Sequence, residues 1–299
     1  MPWAPASRPI PAQRPTSASV LSPEQRRGTA ATPAAAIITT AAAIVLRRTG
    51  ASLLGYSKLY GQVPGGQAEY LRVPQAHFGP IKVPEGPPDE RFLYLSDVLP
   101  TSWQAVAYAD VPEGGTVAVF GLGGVGLAAV AGAALAGATT VIAVDVDTRK
   151  CDAALERFGA THAICSKDMD EDAVIERVRE LTGGFGADVT IDAVGIQPTW
   201  RQAFYARDLA GRMVMVGVPN RTDRIDVPAI DMYARGGSIK PAWYGDCLPE
   251  RDFPAYVELY RQGRYPLGEF VSERIGIGDI EEAFAKMKRG DVLRSVVEF

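Results

Sequence analysis

The stretch that decides the fold is Val117-Ala118-Val119-Phe120-Gly121-Leu122-Gly123-Gly124-Val125-Gly126, followed by an apolar run and then by Val141-Ile142-Ala143-Val144-Asp145. This order predicts an apolar strand, a G-x-G-x-x-G turn, a helix, and a second strand that ends on an acid. Such a βαβ unit is typical of a dinucleotide site. A glycine-rich turn alone would also fit an ordinary strand-to-helix connection, but the second strand and its terminal acid favour the binding site.

Each glycine of this turn has its own expected task. Gly121 permits the tight turn, Gly123 lets backbone amides approach a pyrophosphate, and Gly126 lets the helix pack close to the strand. The positive end of the helix dipole then faces the phosphates. Asp145 lies 24 residues after Gly121, where a carboxylate can accept both hydroxyls of an adenosine ribose and repel a 2′-phosphate. The sequence therefore predicts NAD rather than NADP.

Length and composition indicate an ordinary globular protein. The chain has 299 residues, 47% hydrophobic and 22% charged, which is enough for two domains and a sizeable core. Its net charge of −4 gives no reason to expect a nucleic-acid partner. Cys151, Cys165 and Cys247 are too few and too widely spaced for a disulfide framework or a C-x-x-C metal site. We therefore expect a reducing compartment and a cytoplasmic location.

The first fifty residues differ in composition from the rest. Residues 1–23 contain six prolines, and up to Gly50 the only acid is Glu24 against six arginines. The uncharged run 29–46 leaves two alternatives open, a membrane-spanning helix and an arginine-rich targeting peptide. Because this run is mostly Ala and Thr with Pro33 inside, we expect an irregular leader over residues 1–51 and no membrane partner.

From about Ser52 onward the sequence turns globular, and βα alternation follows. A turn entering a strand is predicted over 65–73, and a short strand running into a turn over 81–86. The strands predicted after them are 116–120, 139–145, 161–165, 188–192, 212–217, 238–242 and 292–299. The predicted helices are 125–136, 147–158, 172–182, 199–210, 250–262 and 280–288, with glycine caps expected at Gly137, Gly159, Gly183, Gly211 and Gly263. The fold class that this order predicts is α/β, a doubly wound parallel sheet of the Rossmann type.

Several ordered strings carry a family likeness. They are Gly65-Gly66-Gln67-Ala68-Glu69-Tyr70-Leu71-Arg72-Val73-Pro74, Gly79-Pro80-Ile81-Lys82-Val83-Pro84 and Ser96-Asp97-Val98-Leu99-Pro100-Thr101. From about Ser52 to Phe299 the chain resembles the medium-chain, zinc-type alcohol dehydrogenases, and within them the formaldehyde dehydrogenase-like branch. The resemblance implies a truncated catalytic domain over 52–96, a dinucleotide-binding domain over 97–242, and a C-terminal segment over 243–299 that returns to the catalytic domain.

The resemblance also implies contacts with NAD along the carboxyl ends of the sheet. Lys150 matches a residue that reaches the adenosine ribose, and Arg294 matches the arginine that returns to the pyrophosphate. A solvated surface role is the alternative for each. The full set of expected cofactor-binding residues is Gly121, Gly123, Gly124, Val125, Gly126, Asp145, Lys150, Val194, Val216, Gly217, Val218, Ala242, Tyr244 and Arg294.

Zinc is the second cofactor that the resemblance implies. In the family, Zn²⁺ binds the alcohol oxygen and stabilises the alkoxide while hydride passes to the nicotinamide. Asp97 falls on the position of one metal ligand, and Thr101 on the catalytic position near the nicotinamide. The other two ligands have no counterpart, because no cysteine precedes Cys151 and no histidine precedes His77. Asp97 is therefore either a surviving ligand or a polar residue at a domain junction, and zinc binding by this chain is in question.

His77 and His162 are expected to be structural. His77 follows the Gly65 turn, too late in the chain to be the missing ligand. We also expect residues 1–48 to arise from a shifted reading frame or a wrongly chosen start, since family-like sequence begins abruptly near Thr49.

The function that the resemblance implies is NAD-dependent oxidation of a small-molecule alcohol or of a formaldehyde-thiol adduct by a homo-oligomer. The alternative is a catalytically silent NAD-binding or subunit-association protein. A membrane-attached dehydrogenase is a third possibility, and it requires residues 29–46 to enter lipid.

Overall fold

A parallel sheet of six strands lies at the centre of the part of the chain that the structure describes. The structure is a computed structural model, and it describes residues 64, 70–73, 80–85, 89–243 and 245–299, together with the backbone of 37–38. These residues belong to one compact unit, residues 35–299. The predictions made for the rest of residues 1–63, for the 65–69 turn, for His77 and for Tyr244 lie outside the described residues.

The strands are β1 Ile37–Ile38, β2 Ile81–Lys82, β3 Thr116–Phe120, β4 Thr140–Asp145, β5 His162–Cys165, β6 Ala187–Asp192, β7 Arg207–Met215, β8 Ser238–Pro241, β9 Glu273–Gly276 and β10 Ser295–Glu298. The α-helices are α1 Val98–Ala109, α2 Gly124–Leu135, α3 Thr148–Arg157, α4 Glu171–Leu181, α5 Gln197–Ala206, α6 Ala229–Arg235, α7 Pro249–Arg261 and α8 Ile280–Arg289. Three 3₁₀ segments, Asp89–Ser96, Leu267–Phe270 and Ile277–Asp279, complete the described elements.

The strand order in the large sheet is β5-β4-β3-β6-β7-β8, with every neighbouring pair parallel. The order reverses between β3 and β6, and in open parallel sheets this is where ligands bind, at the carboxyl ends of the strands. The predicted fold class, a doubly wound α/β sheet, is confirmed. Outside it, β9 and β10 form a two-stranded parallel pair.

The two faces of the large sheet bury different apolar side chains, because successive residues of a strand point to opposite faces. Val117 and Val119 of β3 belong to the core that contains residues of α1, α2, α3 and α7. Ala118 and Phe120 belong to the core on the other face, with residues of α4 and α5. Helices therefore cover both faces of the sheet, and the candidate functional site lies at the carboxyl ends of its strands.

The observed elements correct two predictions at the α5–β7 junction. Helix α5 ends at Ala206 and β7 begins at Arg207, so the predicted helix over 199–210 was too long and the strand predicted from 212 starts earlier. Gly211 is not a helix cap, whereas Gly137, Gly159, Gly183 and Gly263 all have positive φ as expected of caps. The physical reason lies in Arg207, whose buried guanidinium donates to the carbonyls of Gly211 and Gly236 and fixes the extended start of the strand.

Helices α1 and α6 and strand β9 were not predicted. In the described ranges, no helix is both long enough and apolar enough to cross a bilayer. The domain boundaries proposed at 51, 96 and 242 stay a prediction.

Candidate functional site

The glycine turn between β3 and α2 is tightly packed at its first and last glycines. Gly121 has φ +88°, and a Cβ there would lie 2.3 Å from Cγ2 of Val194. A Cβ on Gly126 would lie 1.7 Å from the carbonyl oxygen of Gly121. A larger residue at Gly126 would therefore require a shift of the backbone, and one at Gly121 would require the Val194 side chain to move and would be strained by the positive φ, as the motif predicts.

The middle of the same turn is open. A Cβ on Gly123 would meet no atom within 4 Å, so the backbone before α2 can be approached closely from outside. Gly124, Val125 and Gly126 start the helix, where the amides lack carbonyl partners within the helix and the dipole is positive. A Cβ on Gly124 would lie 3.5 Å from Nε and Nη2 of Arg294, so this arginine lies beside the turn. Backbone amides and one guanidinium thus converge on an open space.

Asp145 ends β4 beside the glycine turn. Its Oδ2 accepts a 2.6 Å hydrogen bond from the backbone N–H of Leu122, and its Oδ1 accepts a 2.9 Å bond from the N–H of Asp147. Nζ of Lys150 lies 4.0 Å from Oδ1, and 22% of the lysine side chain is exposed against 8% of the aspartate. The carboxylate is therefore held in a fixed position between the turn and the start of α3, next to a cation.

On the β6 side of the point where the strand order reverses, the site is built around Asp192, which is fully buried at the end of β6. Its carboxylate accepts from the N–H groups of Gly195 at 3.0 Å and Val194 at 3.3 Å, and burial raises its pKa. Gly195 packs so closely on Gly217 that a Cβ on Gly217 would lie 2.1 Å from N of Gly195. The ends of β6 and β7 are thereby held together. Here Val194 is partly exposed, Val216 is buried and Val218 is 77% exposed.

Asp97 and Thr101 lie at the start of α1, close to the glycine turn. Thr101 Oγ1 donates a 2.7 Å hydrogen bond to Oδ1 of Asp97, and the next residue, Val98, has Cγ1 3.6 Å from the Cβ position of Gly124. The loop after β8 packs against the same helix, because the N–H of Gly245 donates to Oε1 of Gln104 at 3.0 Å. Ala242 of this loop is buried. The structure therefore brings the predicted catalytic and metal-ligand positions together at one helix start.

The donor set around Asp97 does not fit Zn²⁺ in the described part of the chain. There, no group of three His, Cys, Asp or Glu side chains is placed to hold a metal ion. A catalytic zinc site needs three protein ligands and an open position. His162 lies exposed at the start of β5, with Nδ1 2.9 Å from Oγ1 of Thr161, and its structural role stays a prediction.

Two features of the site were missed by the sequence analysis. Arg149 links the start of α3 to the turn after α8, through Asp147, Asp291 and the carbonyl of Gly290. Gln104 holds the loop after β8. Both contacts join residues 141 or more positions apart, and no local pattern in the sequence marks them.

Comparison with known proteins bears on this geometry. Residues 124–262 match the model of the zinc-binding dehydrogenase family. The chain is also 32% identical over 223 residues to an alcohol dehydrogenase of Cupriavidus necator, an alignment that covers 74% of this chain and 59% of the relative. It belongs to the medium-chain, zinc-type alcohol dehydrogenase family. The resemblance seen in the sequence is thereby confirmed for the family but not for its formaldehyde dehydrogenase-like branch.

Other members of the alcohol dehydrogenase family agree with this assignment. Alcohol dehydrogenase 2 of Zea mays is 33% identical over 72% of this chain and 56% of its own length. A solved alcohol dehydrogenase from a Thermus species superposes with a TM-score of 0.73 at 26% identity, covering 83% of this chain and 69% of that one. The chain thus spans less than two thirds of the length of the curated alcohol dehydrogenases that it matches.

Proposed function

We propose that this chain binds NAD along the carboxyl edge of the sheet, with the pyrophosphate at the glycine turn and the adenosine ribose at Asp145. The observation that carries the proposal is the 2.6 Å bond from the Leu122 amide to the Asp145 carboxylate. It joins the phosphate-binding turn to the ribose-binding acid in one rigid unit. The dinucleotide fits this part of the structure, since Gly123 leaves the approach open and the first-turn amides of α2 have no carbonyl partner within the helix.

The choice of NAD over NADP follows from charge at Asp145. A carboxylate that already accepts two backbone bonds keeps lone pairs for ribose hydroxyls, because an ionised carboxylate has about four acceptor sites. A 2′-phosphate at the same place would meet this negative charge. Lys150, 4.0 Å away, is positioned to donate to the same ribose.

Titration calorimetry with NAD and with NADP tests this proposal. We expect NAD to bind at least about tenfold more tightly than NADP, and Asp145→Asn to remove most of that difference because it removes the charge. Asp152→Asn, an exposed aspartate on α3, is the matched control and should bind both cofactors as the wild type does. An absence of heat with both cofactors would overturn the proposal.

For the reaction, we infer oxidation of an alcohol, since the family members named above are alcohol dehydrogenases. Bound NAD would supply the hydride acceptor. The residues of this chain that would serve the reaction are Thr101, expected at the nicotinamide end, and Ala242 and Gly245 after β8. A formaldehyde-thiol adduct stays a prediction that the comparisons do not support.

The second candidate is a protein that binds NAD without turning over an alcohol. The observation that favours it is the donor set, since the described residues offer no group of three metal ligands. The two candidates differ in one assay. Formation of NADH from a panel of primary and secondary alcohols, with Zn²⁺ added, is expected only of the dehydrogenase. Cofactor binding with no NADH above a sample lacking protein supports the silent form.

A further inference from the structure

A single arginine ties the start of α3, at the ribose end of the proposed cofactor site, to the turn after α8. Arg149, in the first turn of α3, donates from Nη2 to Oδ2 of Asp147 at 2.9 Å and to the carbonyl of Gly290 at 3.0 Å. Its Nη1 donates to Oδ1 of Asp291 at 3.2 Å. The guanidinium therefore bridges the loop after β4, where Asp147 lies two residues beyond Asp145, and the turn that ends α8.

The turn after α8 fits closely onto this arginine and its partner. Gly290 ends the helix with φ +78°, and a Cβ on it would lie 2.7 Å from Oδ2 of Asp147. Asp291 also accepts from Nε of Arg289 at 2.8 Å. The neighbouring guanidiniums lower the pKa of Asp291, with Arg289 as the larger cause and Arg149 as the second, so both cations meet an ionised partner.

Arg294 lies three residues after Asp291. Between them, Leu293 packs against the core and its N–H donates to Oγ of Ser272 at 2.8 Å. Arg294 then reaches the first turn of α2, with Nε and Nη2 3.5 Å from the Cβ position of Gly124. The short segment 290–294 thus runs from the ribose end of the site to the phosphate end, and Arg149 holds its first residues.

We propose that Arg149 is a positioning residue for the cofactor diphosphate, which it serves by fixing the segment 290–294 so that Arg294 stays beside the first turn of α2. This proposal rests on the proposed function, because the anion that Arg294 would meet is the pyrophosphate of NAD. A forked cation suits the task, since three acceptors on two separate segments are bound at once. A lysine at this position would offer no such planar set of donors.

The test is a double-mutant cycle read by calorimetry with NAD and with ADP-ribose, which carries the diphosphate without the nicotinamide. We expect Arg294→Met to weaken binding about tenfold and Arg149→Met about fivefold, while the double variant is no weaker than Arg294→Met within about twofold. If Arg149 only stabilised the fold, the affinity losses of the two single variants would multiply in the double variant. Arg177→Met, which removes an exposed arginine paired with Glu180 at 2.7 Å on α4, is the matched control and should leave binding unchanged.

A second variant and a second readout keep the test independent of folding. Asp291→Ala removes one acceptor of the Arg149 guanidinium. It should weaken NAD binding as Arg149→Met does, and it replaces that variant in the test if Arg149→Met fails to fold. Amide hydrogen exchange of peptide 290–295 without cofactor should speed up in Arg149→Met and in Asp291→Ala, but not in Arg177→Met.

The outcomes separate this proposal from the proposed function. Multiplying losses, or unchanged binding in both Arg149→Met and Asp291→Ala, overturn the positioning role while NAD binding stands. No NAD binding by the wild type overturns both.

Discussion

The hydroxyl of Thr101 donates a 2.7 Å hydrogen bond to the carboxylate of Asp97, so the predicted catalytic residue and the predicted metal ligand bind each other. Asp97 is exposed and Thr101 is 7% exposed. The carboxylate therefore satisfies the buried hydroxyl of α1 without a metal ion. This contact supports the interpretation of Asp97 as a polar residue at a domain junction. Measurements with and without a metal ion test this interpretation.

The first prediction concerns zinc. Because the described residues place no group of three His, Cys, Asp or Glu side chains that could hold a metal ion, addition of Zn²⁺ or of a chelator should shift the melting temperature of the wild type by less than about 1 °C. Differential scanning calorimetry with Zn²⁺, with EDTA, and with Asp97→Asn checks this. A rise of several degrees with Zn²⁺ that disappears in Asp97→Asn would contradict it and would establish a metal site.

The second prediction concerns Thr101 itself. Thr101→Val keeps the shape of the side chain but removes the hydrogen bond, and we expect the free energy of unfolding to fall by about 1 kcal/mol. Thr101→Ser keeps the hydroxyl and serves as the control. If Thr101 lies near the nicotinamide, Thr101→Val should change the Kd of NADH about threefold or more and leave that of ADP-ribose unchanged, since only the nicotinamide end is affected. Equal changes for both ligands would contradict that placement.

The third prediction contrasts two glycines of the turn. Gly126→Ala places a methyl group 1.7 Å from the carbonyl oxygen of Gly121, so the turn has to shift and the free energy of unfolding should fall by about 2–4 kcal/mol. Gly123→Ala meets no atom within 4 Å and should cost less than about 1 kcal/mol. The same methyl group would occupy the approach to the turn, so NAD should bind at least about tenfold more weakly.

Chemical denaturation and calorimetry on both turn variants measure these effects. Gly268→Ala, where a Cβ also meets nothing within 4 Å, is the control for a harmless methyl group. Unchanged NAD affinity in Gly123→Ala would place the pyrophosphate elsewhere.

The fourth prediction concerns thiol reactivity. Burial raises the pKa of Cys151 and of Cys247 to about 11, from an ordinary value of 9.0. Only about 0.1% of each thiol is then ionised at pH 8, so both should alkylate slowly, at rates that rise about tenfold per pH unit. Because the folded pKa is raised, the stability from these neutral thiols is present below pH 9 and is lost as pH rises through about 11.

Iodoacetamide labelling followed by peptide mass spectrometry checks the thiol prediction. Cys165 is less buried than Cys151 and should be labelled first at pH 8. Labelling of Cys151 as fast as Cys165 at that pH would contradict the buried position of Cys151 beside the Ile164 carbonyl.

The sequence predicted the elements whose signals are local. The βαβ unit at Thr116–Asp145 combines an apolar strand, three glycines and a terminal acid within 30 residues, and the structure has β3, α2 and β4 within a residue or two of the predicted bounds. Helix α1 was missed although Asp97, a residue type favoured at N-caps, precedes it; in the structure the Asp97 side chain accepts from Thr101 instead of from the helix amides, and Pro100 lies in the first turn. The α5–β7 boundary was wrong because a buried side chain, Arg207, decides it through distant carbonyls.

By itself, the sequence determined the doubly wound sheet, the glycine turn and the acid at its second strand, because strand and helix periodicity and glycine conformation act over a few neighbouring residues. Only the tertiary structure decided that Arg149 holds the segment leading to Arg294 and that Asp97 binds Thr101, whereas the position of Arg294 beside the turn agrees with what the resemblance implied. The contacts of Arg294 and Arg149 join residues that are far apart along the chain, so packing of the whole unit brings them together. For Asp97 and Thr101, the chain supplies a spacing of four residues, and the helix that turns this spacing into a contact depends on burial against α2.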